Sequence, residues 1–361
     1  MSSIGVITMY RRNYGAFLQA YALQKALIKC GYTAELIRYD YYRDRSIFEV
    51  PLAELRKPLL FCKKVLVALY RSKSRKERRK VFDESIRKHL KESKEYYRSY
   101  NKLTASPPDY DIYLTGSDQV FNPLLTPHAY RSRLLCFTDK KKVSYAASAG
   151  SAKLNEQELD FLICELKKFT SISVRERKLE NVICNRLNTS VETHIDPTLL
   201  LSADEWKQFA SFPADLIPQK TQYIFFYQVG DDNGLQQAAE ELSNDTGLPI
   251  FAADRYPNFK NVIERNRVLS PEEWVGALLK ADYVVTNSFH GTVFSIIFHR
   301  KTHIVFPTHN NERIAELLRN TNLMNLTNGN IEYSDNLFAN ADHYINIERD
   351  KSMDYLQGIG E

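Results

Sequence analysis

Residues 281–306 read ADYVVTNSFHGTVFSIIFHRKTHIVF, and we expect the rest of the chain to converge on them. The run at 283–285 is β-branched and aromatic, as expected of a buried parallel strand. The small polar residues at 286–288 can cap a helix, and the apolar run at 293–298 continues as that helix. A further strand is expected at 303–306. A strand, a polar turn, a helix and a strand in this order are typical of an α/β fold.

The polar turn of this stretch is the first candidate binding position. In an open α/β sheet, ligands bind where the strands end, and the free N–H groups of the next helix favour anions. Ser288, His290, Gly291 and Thr292 lie at this turn, which suits a phosphate or carboxylate ligand. In the alternative interpretation Ser288 only caps the helix and His290 is an ordinary hydrogen-bonded turn residue.

The composition is that of a globular protein in a reducing compartment. The chain has 361 residues, 43% of them hydrophobic and 26% charged, with a net charge of +5. One very large domain or two of ordinary size are therefore expected. The 5 cysteines are scattered and form no CxxC pair, which argues against a zinc site. We see no signal peptide and no membrane-spanning run, so a cytoplasmic location is expected.

The positive charge is concentrated in one segment. Residues 56–80 carry many lysines and arginines against a single acid, Glu77, within a segment at about 52–100 that we expect to be helical and basic. One interpretation is a surface helix with a solvated charged face. The other is peripheral contact with the anionic inner face of a membrane. No nucleic-acid-binding motif accompanies these charges.

Another polar loop follows the first strand. Residues 4–9 form the expected strand. Asn13 and Gly15 form a turn, and the helix expected after it has an apolar stripe that starts at Ala16. This loop lacks the GxGxxG pattern, so a dinucleotide site is not supported. The Asn13–Gly15 loop is a candidate for binding an acceptor sugar or its phosphate.

Two more predicted strands end in polar groups. The strand at 111–115 runs into a glycine turn that carries Ser117, Asp118, Gln119 and Asn122. Asp118 either caps the following turn or serves as a carboxylate near an acceptor. The strand at 171–174 ends at Arg175, which can clamp a carboxylate or phosphate, or instead form a salt bridge with Glu176 or Glu180.

These elements divide into two α/β domains. We expect a first domain at 1–205, a proline-marked hinge at about 201–220, a second domain at 220–334, and a tail at 335–361 that packs back on the first domain. Two Rossmann-like domains that face each other across a cleft resemble the GT-B fold. In this arrangement the second domain holds the donor and the first holds the acceptor.

The ordered motifs resemble the polysaccharide pyruvyl transferase family. The matching stretches are Asn13–Ala16, Gly116–Asn122, Tyr145–Gly150, Ser173–Glu176, Asp196–Leu200 and Thr286–Ser295. They occur in the family's order and cover most of the chain, from residue 4 to about 310. The resemblance implies transfer of a pyruvyl group from phosphoenolpyruvate to two hydroxyls of one hexose. The product is a cyclic pyruvate ketal on a surface polysaccharide or its lipid-linked precursor, and the reaction requires no redox cofactor and no evident metal.

The resemblance also suggests roles for individual residues. His290 is the expected acid and Asp118 the expected base; Arg175, Ser288, His290, Gly291 and Thr292 are expected to bind the donor. The residues expected to bind the acceptor are Asn13, Tyr14, Gly15, Ser117, Gln119 and Asn122. Some family members carry arginine where this chain has Ser288, so another cation must act here, and Arg175 is the first choice.

Two other functions remain open from the sequence. One is a GT-B glycosyltransferase that uses a nucleotide-sugar, which would need an acid near the start of the helix after Gly291; the first acid there is Glu312. The other is a non-catalytic protein that binds a glycan or an anion in the same cleft.

Overall fold

The structure is a computed structural model. It describes residues 1–11, 13–40, 75–150, 152–230, 232–254, 258–264, 266–307, 312–327 and 336–361. The expected basic helix at 56–80 therefore lies largely outside the described residues. None of the described helices is long and apolar enough to cross a membrane.

Parallel strands alternate with helices along most of the described chain. The strands are β1 (Ser3–Ile7), β2 (Thr33–Tyr39), β3 (Glu92–Tyr97), β4 (Ile112–Asp118), β5 (Lys141–Ala147), β6 (Ser173–Val174), β7 (Glu192–Thr193), β8 (Ile224–Tyr227), β9 (Ile250–Ala252), β10 (Tyr283–Thr286) and β11 (Lys301–Ile304). The helices are α1 (Tyr14–Lys29), α2 (residues 75–89), α3 (Tyr100–Ala105), α4 (Tyr130–Arg133), α5 (Glu156–Leu166), α6 (Arg177–Leu187), α7 (Ala203–Phe209), α8 (Asn233–Thr246), α9 (Pro271–Lys280), α10 (Phe289–Ile297), α11 (Glu312–Asn320) and α12 (Ala339–Gly358). Short 3₁₀ helices lie at Pro127–Ala129, Pro197–Leu199 and Met324–Thr327.

The first sheet has the order β3-β2-β1-β4-β5-β6-β7, and all of its pairings are parallel. Its central strands are apolar on both faces because helices cover both sides. In β1, Val6 lies opposite Leu36 of β2 and Leu114 of β4, and all three are fully buried. The switch in strand order at β1 and β4 brings the loops after these strands to one crevice.

The second sheet has the order β11-β10-β8-β9 and is also parallel. Its central strand β10 is the one expected from the run at 283–285, and Val284 and Val285 are fully buried. The expected helix follows as α10, which begins at Phe289. The two sheets thus present their carboxyl edges to a shared region of the molecule.

Five sequence predictions require correction. The strand predicted at 4–9 is β1 at Ser3–Ile7, and the one predicted at 171–174 is shorter, at Ser173–Val174. The 52–100 segment is not helical throughout, because β3 pairs with β2 at the edge of the first sheet, where Ser93 and Tyr97 turn inward. The strand predicted at 111–115 continues to Asp118, since β4 keeps its pairing with β5 through that residue. The last predicted strand lies at Lys301–Ile304 and not at 303–306, because it pairs with β10 from Tyr283 onward.

Helices α1 and α2 connect the two sheets. The Tyr14 hydroxyl of α1 donates to the Leu269 carbonyl at 3.0 Å. From α2, the Ser85 hydroxyl donates to Glu272 of α9 at 2.7 Å, and His89 Nε2 lies 2.6 Å from the same carboxylate. Arg78 of α2 forms an ion pair with Asp254, which follows β9. These contacts fix how the two carboxyl edges face each other.

The C-terminal helix α12 contacts the first sheet and not only the second domain that precedes it. The Tyr355 hydroxyl donates to the Ser144 carbonyl at 2.8 Å, and Arg349 Nε donates to the Leu199 carbonyl at 2.8 Å. The Gln357 carbonyl accepts a 2.6 Å hydrogen bond from Tyr32. Helix α12 therefore covers β5 and the segment after β7.

Candidate active site

The carboxyl edges of both sheets line one cavity of about 510 Å³. The first sheet contributes the loops after β1 and β4, and the second contributes the loops after β8 and β10 together with the start of α11. Asn13, Asp118 and Gln119 therefore face the same space as Ser288 and His290. We call this space the cleft.

The amino end of α10 forms one wall of the cleft. Ser288 caps it, because the Ser288 hydroxyl accepts a 3.4 Å hydrogen bond from the Gly291 amide. The buried Thr292 hydroxyl donates to the Ser288 carbonyl at 3.0 Å. Gly291 allows close packing on β10, since a Cβ there would lie 2.4 Å from Thr286 Oγ1. Ser288 is thus the helix cap, as the alternative interpretation held, and it also lines the cleft.

His290 lies at the junction of the two domains. Its imidazole packs directly on Gly15 of α1, where a Cβ would lie 2.1 Å from Nδ1. Its Nε2 is 3.8 Å from the Asp196 carboxylate, and no hydrogen-bond partner for Nε2 exists among the described residues. Burial lowers the pKa of His290, although Asp196 and Asp118 act in the opposite direction. The lowered pKa favours the neutral imidazole in the unliganded protein.

Arg175 is held by carboxylates at the edge of the first sheet. Its Nη1 donates to Asp196 at 2.6 Å and its Nε donates to Glu176 at 3.4 Å. The pKa of Arg175 is raised, because the charges of Glu176, Asp196 and Asp118 outweigh the effect of burial. Glu176, one of the two expected salt-bridge partners, is in contact with Arg175. Asp196 was not among the expected partners and is the closer carboxylate.

Asp196 links the arginine to the histidine. It is fully buried, and besides Arg175 it accepts hydrogen bonds from the Thr198 amide at 3.0 Å and the Thr198 hydroxyl at 2.6 Å. Burial raises the pKa of this carboxyl. His290 and Arg175 lower the pKa by more than burial raises it, so the net shift is downward. Sequence reasoning gave Asp196 no role. Its place at the end of a predicted strand, before the proline of the next turn, was the available signal.

Asp118 lies beside this group. Its carboxylate is 3.9 Å from Arg175 Nη2, and its backbone adopts a left-handed conformation with φ 64°. The structure therefore brings together His290, Asp118 and Arg175, three residues chosen from the sequence, and adds Asp196 between them.

The residues expected to bind the acceptor are divided between the cleft and the protein interior. Asn13 caps α1 through a 3.1 Å bond from the Ala16 amide and lines the cleft. Gln119 also lines the cleft and accepts a 2.9 Å hydrogen bond from Asn122. Tyr14 is fully buried and stacks on Trp274 at a centroid distance of 5.7 Å.

The other two members of that set have structural contacts. The Ser117 hydroxyl is buried and donates to the Ala146 carbonyl at 2.8 Å. Gly15 lies beneath the His290 ring. The Asn13–Gly15 motif therefore supports the histidine, in addition to bringing Asn13 to the cleft.

A second cavity of about 510 Å³ adjoins the cleft. Phe289 and Arg313 belong to the walls of both cavities. Arg175, Asp196 and His194 face the second cavity from the first sheet, and the side chains of α11 and α12 close the opposite side. Sequence reasoning missed Arg313, because its position depends on how α11 packs.

In the described part of the chain, no group of three or more His, Cys, Asp or Glu side chains is placed to hold a metal ion.

The sequence model of the polysaccharide pyruvyl transferase family matches residues 13–310. None of the curated proteins matches the chain in sequence.

The solved structures with a similar fold include two described as UDP-N-acetylglucosamine 2-epimerases and one in complex with UDP. A Listeria monocytogenes structure described as a UDP-N-acetylglucosamine 2-epimerase has a TM-score of 0.54 at 11% identity, and the match covers 99% of this chain and 90% of that one. UDP-N-acetylglucosamine 2-epimerase from Rickettsia bellii has a TM-score of 0.53 at 10% identity, with 100% and 97% covered. MnaA of S. aureus in complex with UDP has a TM-score of 0.51 at 11% identity, with 98% and 90% covered. At these identities the likeness concerns the fold alone, and the predicted α/β architecture with two GT-B-like domains is confirmed.

Proposed function

We propose, because the chain belongs to the polysaccharide pyruvyl transferase family, that it transfers a pyruvyl group from phosphoenolpyruvate to two hydroxyls of a hexose. The acceptor is a surface polysaccharide or its lipid-linked precursor, and the product is a cyclic pyruvate ketal. The observation that carries this proposal is the position of His290, at the amino end of α10 and 3.8 Å from Asp196, in the same cavity as Asp118.

The donor carries a carboxylate and a phosphate, so its site must attract anions. The positive end of the α10 dipole, capped by Ser288, provides a fixed partial charge in the cleft. Gly291 and Thr292 contribute through the helix backbone that they form. Arg175 adds positive potential from beside Asp118.

In the proposed reaction, two acceptor hydroxyls lose their protons and bond to C2 of the donor, and C2 loses its phosphate. The methylene carbon of phosphoenolpyruvate takes a proton, C2 becomes cationic, and an acceptor hydroxyl adds to C2. The bond between C2 and the phosphate oxygen then breaks, and the second hydroxyl closes the ketal. One hydroxyl proton replaces the proton delivered to the methylene carbon, and the other leaves with inorganic phosphate. Phosphoenolpyruvate is a co-substrate here, and no redox cofactor takes part.

His290 is the proposed acid. Although its pKa is lowered in the unliganded protein, an anionic donor next to the ring favours the imidazolium, as Asp196 already does. Donor binding at pH 7 should therefore take up a proton. Calorimetric titration with phosphoenolpyruvate in two buffers of different ionisation enthalpy measures this uptake, which should disappear in His290→Gln.

Asp118 is the proposed base, because its carboxylate faces the cleft from the first domain. Asn13 and Gln119 line the same side and are the proposed contacts for the acceptor sugar. Contact with the inner face of a membrane through residues 56–80 would bring the protein to a lipid-linked acceptor. That contact stays a prediction.

The test is phosphate release from phosphoenolpyruvate with a panel of lipid-linked or aryl hexosides. His290→Gln should lower the rate by about 10²–10⁴-fold, the usual contribution of a positioned acid. His343→Gln is the matched control, since His343 lies exposed on α12. The product should show the ketal carbon by NMR.

Other outcomes would exclude this function. Release that persists in His290→Gln would remove the acid role. No release with any sugar, together with thermal stabilisation by a nucleotide-sugar but not by phosphoenolpyruvate, would favour a glycosyltransferase. Binding of donor and sugar without turnover would favour a non-catalytic binder.

A further inference from the structure

Two guanidinium groups lie over the same aromatic ring at the boundary of the two cavities. The Cζ atoms of Arg175 and Arg313 are 5.2 and 5.5 Å from the centroid of the Phe289 ring. Arg175 comes from the loop after β6, and Arg313 comes from the first turn of α11 in the second domain. The two charges therefore converge on one place from opposite domains.

Their charge compensation differs. Arg175 has Asp196 at 2.6 Å and Glu176 at 3.4 Å. Arg313 forms no ion pair with a carboxylate in the part of the chain that the structure describes, and its buried Nε lacks a hydrogen-bond partner there. Burial and the charge of Arg175 lower the pKa of Arg313, although Asp118, Glu176 and Asp196 act in the opposite direction.

An uncompensated guanidinium that is partly removed from water lowers the stability of the folded protein unless an anion joins it. Cation–π contact with Phe289 offsets only a small part of this cost. A planar guanidinium is also well suited to bidentate binding of a carboxylate or phosphate. The position of Arg313, in the walls of both cavities and in the same cleft as the start of α10, is open to such a ligand.

We propose that Arg313 is the arginine that binds the anionic donor in the cleft, and that Arg175 instead positions Asp196. The inference rests on the proposed function for the identity of the anion, which is phosphoenolpyruvate. Arg313 supplies the positive charge that the small, uncharged Ser288 cannot supply at the start of α10. Its place on α11 makes donor binding depend on the packing of this helix.

The test compares Arg313→Met and Arg313→Lys with the matched control Arg319→Met. Arg319 lies on the same helix, is exposed, and pairs with Glu312 at 3.2 Å. Thermal unfolding is measured without ligand and with inorganic phosphate, pyruvate or phosphoenolpyruvate, and dissociation constants are measured by calorimetry. Loss of phosphate binding alone, or of pyruvate binding alone, identifies the donor group that Arg313 contacts; either supports the proposal.

Without ligand, Arg313→Met should unfold at the same temperature as the wild type or higher, because it removes an uncompensated charge. Its affinity for phosphoenolpyruvate should fall by about tenfold or more, as expected for loss of a charge-assisted hydrogen bond. Arg313→Lys should retain part of the affinity, and Arg319→Met should bind like the wild type. Unchanged affinity in Arg313→Met, or a lower unfolding temperature with normal affinity, would overturn the proposal.

These results separate the inference from the proposed function. Phosphoenolpyruvate binding that depends on Arg313, without pyruvyl transfer to any sugar, would leave the inference intact and remove the function. Pyruvyl transfer with an unchanged KM for phosphoenolpyruvate in Arg313→Met would do the reverse.

Discussion

The two carboxyl edges that meet in the cleft treat buried charge differently. At the edge of the first sheet, Arg175 and Asp196 are 2.6 Å apart, and Thr198 satisfies the second carboxylate oxygen. On the side of the second domain, Arg313 has no ion-pair partner among the described residues. Paired charges form a rigid wall whose geometry exists before any ligand arrives. An unpaired charge is completed by its ligand, so stability and binding are expected to respond oppositely at the two edges.

The largest expected effect follows from breaking the pair at the first edge. Asp196→Ala leaves Arg175 buried without its closest counter-ion and should destabilise the fold by about 3–5 kcal/mol. Denaturant unfolding measures the change. Combining it with Arg175→Met should recover much of the loss. A full loss in the double variant would mean that the cap on Thr198, and not the ion pair, dominates.

A second test lowers the pH so that His194, at the first edge, becomes protonated. Burial lowers the pKa of His194 from 6.5 to about 4, so its folded form favours the neutral ring. The resulting stability is present above pH 6.5 and is lost as the pH falls toward 4. By about pH 5 the loss should reach about 2 kcal/mol. The free energy of unfolding of His194→Gln should lack this component, whereas exposed His343→Gln should keep it. Equal pH dependence in wild type and His194→Gln would contradict the assignment.

A third test concerns the direct contact between the two edges, where Gly15 packs on His290. Gly15→Ala places a methyl group against His290, where a Cβ would be 2.1 Å from Nδ1. Overpacking of this kind should cost about 1–3 kcal/mol and displace the imidazole, so phosphate release should fall as well. Thermal unfolding of Gly15→Ala with His290→Ala should return toward that of His290→Ala alone. Failure of this recovery would locate the strain elsewhere.

The smallest expected effect concerns an ion pair on the surface. It tests whether burial, and not pairing alone, makes the ion pair at the first edge important for stability. Arg186 pairs with Glu156 at 2.6 Å and Asp160 at 3.1 Å, but on the surface. Arg186→Ala should change the free energy of unfolding little, because solvent and salt screen exposed pairs. Unfolding at low and high salt checks this. A loss comparable to that of Asp196→Ala would erase the distinction.

Much of the fold could be predicted from the sequence because local patterns determine it. The run at 283–285 and the polar turn after it predicted β10 and α10, and both are present. Polar residues placed just after apolar runs identified Asp118 and Arg175, since parallel strands bring their ends to one edge. The edge strand β3 escaped prediction because its charged sequence becomes a strand only through pairing with β2.

The remaining features of the site depend on distant contacts. The hydrogen bond between Arg175 and Asp196 requires β6 and β7 to be neighbours, which no local pattern specifies. The contact between Gly15 and His290 requires a particular packing of α1 against the second domain. Arg313 could be found only once the position of α11 was known. Sequence patterns locate strand ends, whereas charge balance emerges from tertiary packing.

The return of α12 to the first sheet has a consequence for synthesis on the ribosome. Its Tyr355 bonds to Ser144 of β5, and its Arg349 bonds to the carbonyl of Leu199. Both partners leave the ribosome long before the helix does, and the whole second domain emerges in between. During translation, the side of the first sheet that α12 covers in the finished protein therefore stays exposed until the second domain has been synthesised. During this interval, chaperones should bind mainly to that exposed side of the sheet. A stop codon before α12 should leave the first domain prone to aggregation.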